Sequence, residues 1–76
     1  MNKIQIGSKV VVKFEDDDEE TYEIVDIGDA DPLLNRISIN SLFAKVLLEN
    51  DLHSEIEYES ANKQIVRCRV VMVDNL

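Results

Sequence analysis

The sequence predicts a small α+β domain: an antiparallel β-sheet of about five strands carrying one short helix. Three observations lead there. Apolar residues alternate with polar ones in two widely separated pairs of runs, which is the pattern of half-buried strands. Between these pairs the period changes once, at Asn40-Ser41, to helical spacing. The chain has 76 residues, of which 45% are hydrophobic, enough for one core and too few for two. It is read as one domain, residues 1–76.

In the first pair of runs, Val10, Val12 and Phe14 alternate with Lys9, Val11 and Lys13. Tyr22 and Ile24 then alternate with Thr21, Glu23 and Val25. Residues directly opposite each other in a hairpin share a face. Pairing Phe14 with Tyr22 and Val12 with Ile24 therefore puts the apolar set on the core side, sets Lys13 against Glu23 outside, and centres the turn on Asp18. Val11 and Val25 fall on the outer face, where they could cover another surface, including a second copy of the domain. A turn-rich stretch, Ile27-Gly28-Asp29-Ala30-Asp31-Pro32, holds the only proline. Arg36-Ile37-Ser38-Ile39 reads as a short strand with both isoleucines inward.

Leu42, Phe43, Val46 and Leu47 lie on one face of a helix of about two turns. Asn40 or Ser41 can cap its exposed amides, and Asn50-Asp51 can stop it. In the last pair of runs, Glu55 to Glu59 and Val66 to Val70 alternate strictly. Setting Tyr58 against Val66 and Ile56 against Cys68 fills the core. The same register sets Glu57 against Arg67 and Glu55 against Arg69 on the outer face, as cross-strand charge pairing favours. Beyond Val70 the alternation slips, which predicts a bulge or burial on both sides.

Composition excludes several function classes. Sixteen acidic residues against eight basic ones give a formal net charge of -8. Phosphate binding needs clustered Lys and Arg, so direct nucleic-acid binding is not expected. The single cysteine, Cys68, permits no internal disulfide, and no apolar stretch approaches a signal peptide or a membrane span. A soluble cytoplasmic protein is expected, with no membrane contact.

No catalytic residues, metal ligands or cofactor site are expected either. The acidic run Asp16 to Glu20 lacks the alternating ligands and turn glycine of a calcium loop, and reads as a solvated hairpin tip that discourages edge pairing. His53 has no partner at metal or triad spacing and reads as an exposed turn residue. Cys68 falls on an inward face, as a buried inert thiol. No serine is accompanied by a base in a known motif, and Gly7 and Gly28 cannot make a phosphate loop.

The segments Ile6-Gly7-Ser8-Lys9-Val10, Tyr22-Glu23-Ile24-Val25, Asp29-Ala30-Asp31-Pro32, Arg36-Ile37-Ser38-Ile39-Asn40-Ser41 and the helix from Ala44 to Leu48 together resemble the C-terminal domain of the bacterial Gre transcript-cleavage factors. The most specific part is the Ala-Asp turn followed at the right distance by Ile-Ser-Ile-Asn-Ser, and the resemblance runs from about Ile6 to Val73. It implies an FKBP-like sheet and helix. It also implies a partner, bacterial RNA polymerase, with the coiled-coil rim of the secondary channel on the largest subunit as the docking point. The corresponding docking residues here are Asn40, Ser41, Leu42 and Phe43, together with Asp29 and Asp31 of the turn.

Two departures shape the expectation. The family places proline after the serine, where this chain has Leu42, so a residue that would fix the first helical turn is replaced by a flexible apolar one. The N-terminal coiled coil that carries acidic residues into the polymerase active site is not part of this sequence. The expected function is therefore a polymerase-binding module without cleavage activity, modulating elongation or competing with Gre-type factors. The alternative is a protein-interaction module that reuses the scaffold for another partner. Met1 leads straight into the domain, which favours a chain that stands alone over one cut from a longer protein. A prolyl isomerase is not expected: there is no tryptophan, and Phe14, Tyr22 and Tyr58 all belong to core faces. Phe43 reads as core and Leu42 as the exposed member of the pair. The oligomeric state is left open.

Overall fold

A computed structural model describes residues 3–75. Five strands form one sheet in the order β3-β2-β1-β5-β4, with β1 at Ser8–Phe14, β2 at Glu19–Val25, β3 at Arg36–Ser38, β4 at Glu55–Glu59 and β5 at Ile65–Asn75. One helix, α1, spans Leu42–Leu48, and two 3₁₀ turns, Ile27–Asp29 and Pro32–Leu34, bridge β2 and β3.

The core lies between the sheet and α1. Val10, Val12, Ile24, Val70, Ala44 and Leu47 are fully shielded from water, with Ile4, Ile56 and Cys68 beside them. Ile37, Ile39, Phe43, Val46 and Tyr58 pack around this set. Alternation along the strands and helical spacing along α1 thus aim their apolar faces at each other, and that burial is the main stabilising term. Ile4, which belongs to no periodic run, joins the core from the N-terminal segment. That segment is held by Ser8, whose buried hydroxyl accepts from the Gln5 amide (2.9 Å) and donates to the Asn75 side chain; Asn75 in turn donates to the Lys3 carbonyl (2.8 Å). Gly7, at φ 92°, makes the turn into β1 in a conformation that favours glycine.

The second hairpin has the expected register. Ile56 faces Cys68, Tyr58 faces Val66, Glu57 faces Arg67 and Glu55 faces Arg69. The outer charges meet as ion pairs, Arg67 to Glu57 at 2.7 Å and Arg69 to Glu55 at 3.1 Å. The bulge is also present. Against β1, Met72 pairs with Val11 and Val70 with Val12, so Val71 is left without a partner.

The first hairpin is tighter than its pattern suggests. Val10 pairs with Tyr22 and Lys13 with Glu19, where the alternation had placed Phe14 against Tyr22 and Lys13 against Glu23. The loop is only Glu15-Asp16-Asp17: Asp17 takes φ 67°, its amide donates to the Phe14 carbonyl (2.9 Å), and the Phe14 amide donates to Asp18 (2.9 Å). A short turn closed by a left-handed residue is a favoured hairpin solution, and Glu19 and Glu20 of the acidic run enter β2. The change is an even number of residues, so every side chain keeps its face. Val25 is buried on the outer side and Val11 half-buried, so the two do not form an open apolar patch.

The sheet is mixed. β3 runs parallel to β2, with Ile24 beside Ile37, while the other three pairings are antiparallel. The ten residues 26–35 carry the chain back to lie beside Glu23, so that β3 can run parallel to the last residues of β2.

Candidate functional site

The candidate site is the corner where β3 gives way to α1. The Ile39 amide donates to the Val25 carbonyl (2.9 Å), fixing the chain beside β2. Ser38 Oγ then accepts from the Asn40 amide (3.0 Å), and the Ser41 amide donates to the Ser38 carbonyl (2.9 Å). These bonds turn the chain sharply into the helix. Ser41 is the N-cap: its extended backbone and its hydroxyl, which accepts from the Ala44 amide at 3.2 Å, satisfy a donor the helix leaves open.

The corner holds the expected residues in different roles. Asn40 is exposed, and Leu42 is 47% exposed at the first helical position. Ser41 is half-buried, with its hydroxyl committed to the cap. Phe43 turns inward between two tyrosines, edge-on to Tyr22 (centroids 5.0 Å) and stacked on Tyr58 (5.5 Å). Such contacts orient the ring as well as bury it. Phe43 therefore anchors the helix start, and Leu42 is the apolar group left at the surface of the corner. Asp29 is exposed on the first 3₁₀ turn, whereas Asp31 caps the second, its carboxylate accepting from the Leu33 amide at 3.1 Å.

The ionisable groups near the core are set by burial. Desolvation raises the Tyr22 phenol, with Glu20 adding to it, and it raises Tyr58 and the Cys68 thiol as well. A thiol held protonated is a poor nucleophile. His53 sits exposed in a turn at φ 71°. Among the described residues, no three His, Cys, Asp or Glu side chains converge as a metal cluster. At the acidic tip, Asp16 accepts from the Asp18 amide (3.2 Å), Asp17 lies 3.7 Å from Lys13 and Glu15 lies 3.6 Å from Arg67.

One group of residues escaped the sequence reading. Leu33, Leu34 and Ile27 have the three highest exposures of any large apolar side chain among the described residues. The available signal was two adjacent leucines inside a proline turn, where no alternating pattern gives them a buried face.

The GreA/GreB transcription elongation factor C-terminal domain model matches residues 1–75. The chain belongs to this family. Transcription elongation factor GreA of Oenococcus oeni is 33% identical over 73 residues, covering 95% of this chain and 45% of that protein. GreA of Rhizobium etli is 42% identical over 57 residues, covering 74% of this chain and 36% of the relative. The solved GreA/GreB elongation factor from Nitrosomonas europaea superimposes with a TM-score of 0.78 at 26% identity, over 95% of this chain and 60% of that one. The chain thus spans less than half the length of these curated relatives, and what it shares with the Gre family is the C-terminal domain, a transcription elongation factor-like module with the α+β fold described above.

Proposed function

We propose that this domain docks on bacterial RNA polymerase through the β3–α1 corner, at the coiled-coil rim of the secondary channel on the largest subunit, and does not itself stimulate transcript cleavage. The observation that carries this reading is the corner itself. In a Gre-family domain, Leu42 stays half-exposed beside exposed Asn40 on a turn fixed by four hydrogen bonds. An apolar side chain held rigidly outward loses little entropy when a partner covers it. The acidic surface favours a basic partner face and speeds encounter with it. Occupying the rim would exclude other Gre-type factors from the same place, so the domain would act by competition or by modulating elongation in the cytoplasm.

The domain is also proposed to be non-enzymatic. Phe43 fills the space between Tyr22 and Tyr58, so these aromatic faces are used in packing. A peptide isomerisation assay should then give no rate above background; a clear rate would establish an enzyme.

The docking reading is tested by pull-down with purified RNA polymerase, comparing wild type with the Ser41→Arg, Leu42→Asp variant. Wild type should be retained at micromolar concentration and the variant lost. Equal retention of both, or none of wild type, would remove the corner as the docking surface.

A further inference from the structure

The connection between β2 and β3 presents apolar groups on a turn that is locked from every side. Asp31 and Arg36 face each other and exchange both backbone hydrogen bonds, Asp31 amide to Arg36 carbonyl at 2.9 Å and the reverse at 3.0 Å. Between them Pro32 begins a 3₁₀ turn. Its amides are taken in order: Leu33 donates to the Asp31 carboxylate (3.1 Å), Leu34 to the Asp31 carbonyl (3.1 Å) and Asn35 to the Pro32 carbonyl (3.3 Å). Asn35 closes the turn in the left-handed region at φ 53°, and its carbonyl accepts from the Glu23 amide of β2 (3.0 Å). The amides of the turn are all committed, yet Leu33 is 93% exposed and Leu34 65%. Ile27, on the preceding turn, is 63% exposed.

A lone surface leucine needs no explanation. Two neighbouring leucines held outward by a proline, a side-chain cap, a backbone bridge and a left-handed closing residue are different. They lower solubility and add nothing to the core. Their conformational cost is already met within the turn, which is the property of a binding anchor. The surrounding charge narrows the occupant. Asp26 and Asp29 are exposed, Asp31 is half-exposed and the chain is at -8 overall. Nucleic acid and anionic lipid are repelled by such a surface, and a second copy would bring its own carboxylates against it. What fits is a protein with an apolar cleft bordered by Lys and Arg.

We propose that Leu33 and Leu34 form a second docking point, seating in a basic-rimmed apolar cleft of the same partner that receives the β3–α1 corner. This rests on the polymerase reading above, and it is continuous with it, since the turn runs directly into β3 and from there into α1. The two points would set the orientation of the domain, which a single contact leaves free to rotate.

The test is a titration of fluorescently labelled full chain with purified RNA polymerase, comparing wild type with Leu33→Ser plus Leu34→Ser. Because both side chains are exposed, the variant should unfold at the wild-type temperature. Its affinity should fall about tenfold or more, the effect of losing an anchor. Wild-type binding should also weaken as salt rises from about 0.05 to about 0.3 M, where screening shortens the reach of the carboxylates. Equal affinity of the two chains would overturn the second docking point and leave the corner standing, and salt-insensitive binding would remove the basic rim from the proposal. No wild-type binding would overturn both readings. A wild-type dimer in sedimentation that the double variant abolishes would assign the leucines to self-association, and would overturn the proposed occupant.

Discussion

Ser41 does two jobs, its hydroxyl capping α1 and its amide closing the turn from β3. Replacing it with alanine removes one accepted hydrogen bond and should cost about 1 kcal/mol, read as a lower urea midpoint with an unchanged slope. Cys68 allows a sharper test. Burial raises its pKa, as it does for Tyr22 and Tyr58. The unfolded chain therefore loses these protons first as pH rises, and stability must fall above the ordinary thiol value of about 8.5. Below that value the contribution is fully present; it is lost progressively until the folded groups titrate as well. Urea midpoints from neutral to about pH 11 should show this decline, and Cys68→Ala should flatten its first part. A midpoint that rises with alkalinity would contradict the burial. The sequence shows the inward place of Cys68 from strand parity and narrows the helix cap to Asn40 or Ser41, between which the structure chooses Ser41. It does not show the exposure of Leu33 and Leu34, which depends on where a non-repeating turn happens to point.

At the level of elements, the two hairpins differ in how much their sequences reveal. In β4–β5, apolar alternation and opposite charges agree on one register, and Glu57–Arg67 and Glu55–Arg69 meet as paired. In β1–β2, a run of carboxylates separates the apolar residues, and nothing in the run marks where the turn lies. The tight loop with Asp17 in a left-handed conformation decides it. Asp17→Gly should therefore stabilise the domain by about 0.5–1 kcal/mol, since an L-residue is disfavoured there; thermal unfolding measures it, and a lower melting temperature would argue against this loop. The parallel placement of β3 was not legible for a related reason: pattern fixes faces, while the path of a connection fixes direction. Leu47 joins α1 to the sheet from a fully buried position. Leu47→Ala should cost about 2–5 kcal/mol, enough to leave so small a domain partly unfolded at 37 °C.

For the molecule as a whole, the fold and the family were both readable, because the alternating runs, the single change of period and the turn motifs all point the same way. At the β3–α1 corner the inward place of Phe43 and the exposure of Leu42 were readable, and the capping role of Asp31 was not. Asn40 and Leu42 face outward, while Phe43 and Asp31 are absorbed into packing and capping. The functional account thus narrows to a half-exposed leucine on a rigid corner of an acidic domain. Leu42→Asp alone separates docking from folding, since an acidic residue in the first turn suits the helix dipole; it should keep the wild-type melting temperature and still reduce polymerase binding by about tenfold or more. The most direct test is site-specific photocrosslinking from position 42 into purified RNA polymerase, with the crosslinked peptides mapped by mass spectrometry. The account predicts adducts on the coiled-coil rim of the largest subunit. Adducts confined to other polymerase surfaces, or none at concentrations where the chain is retained by polymerase, would contradict it.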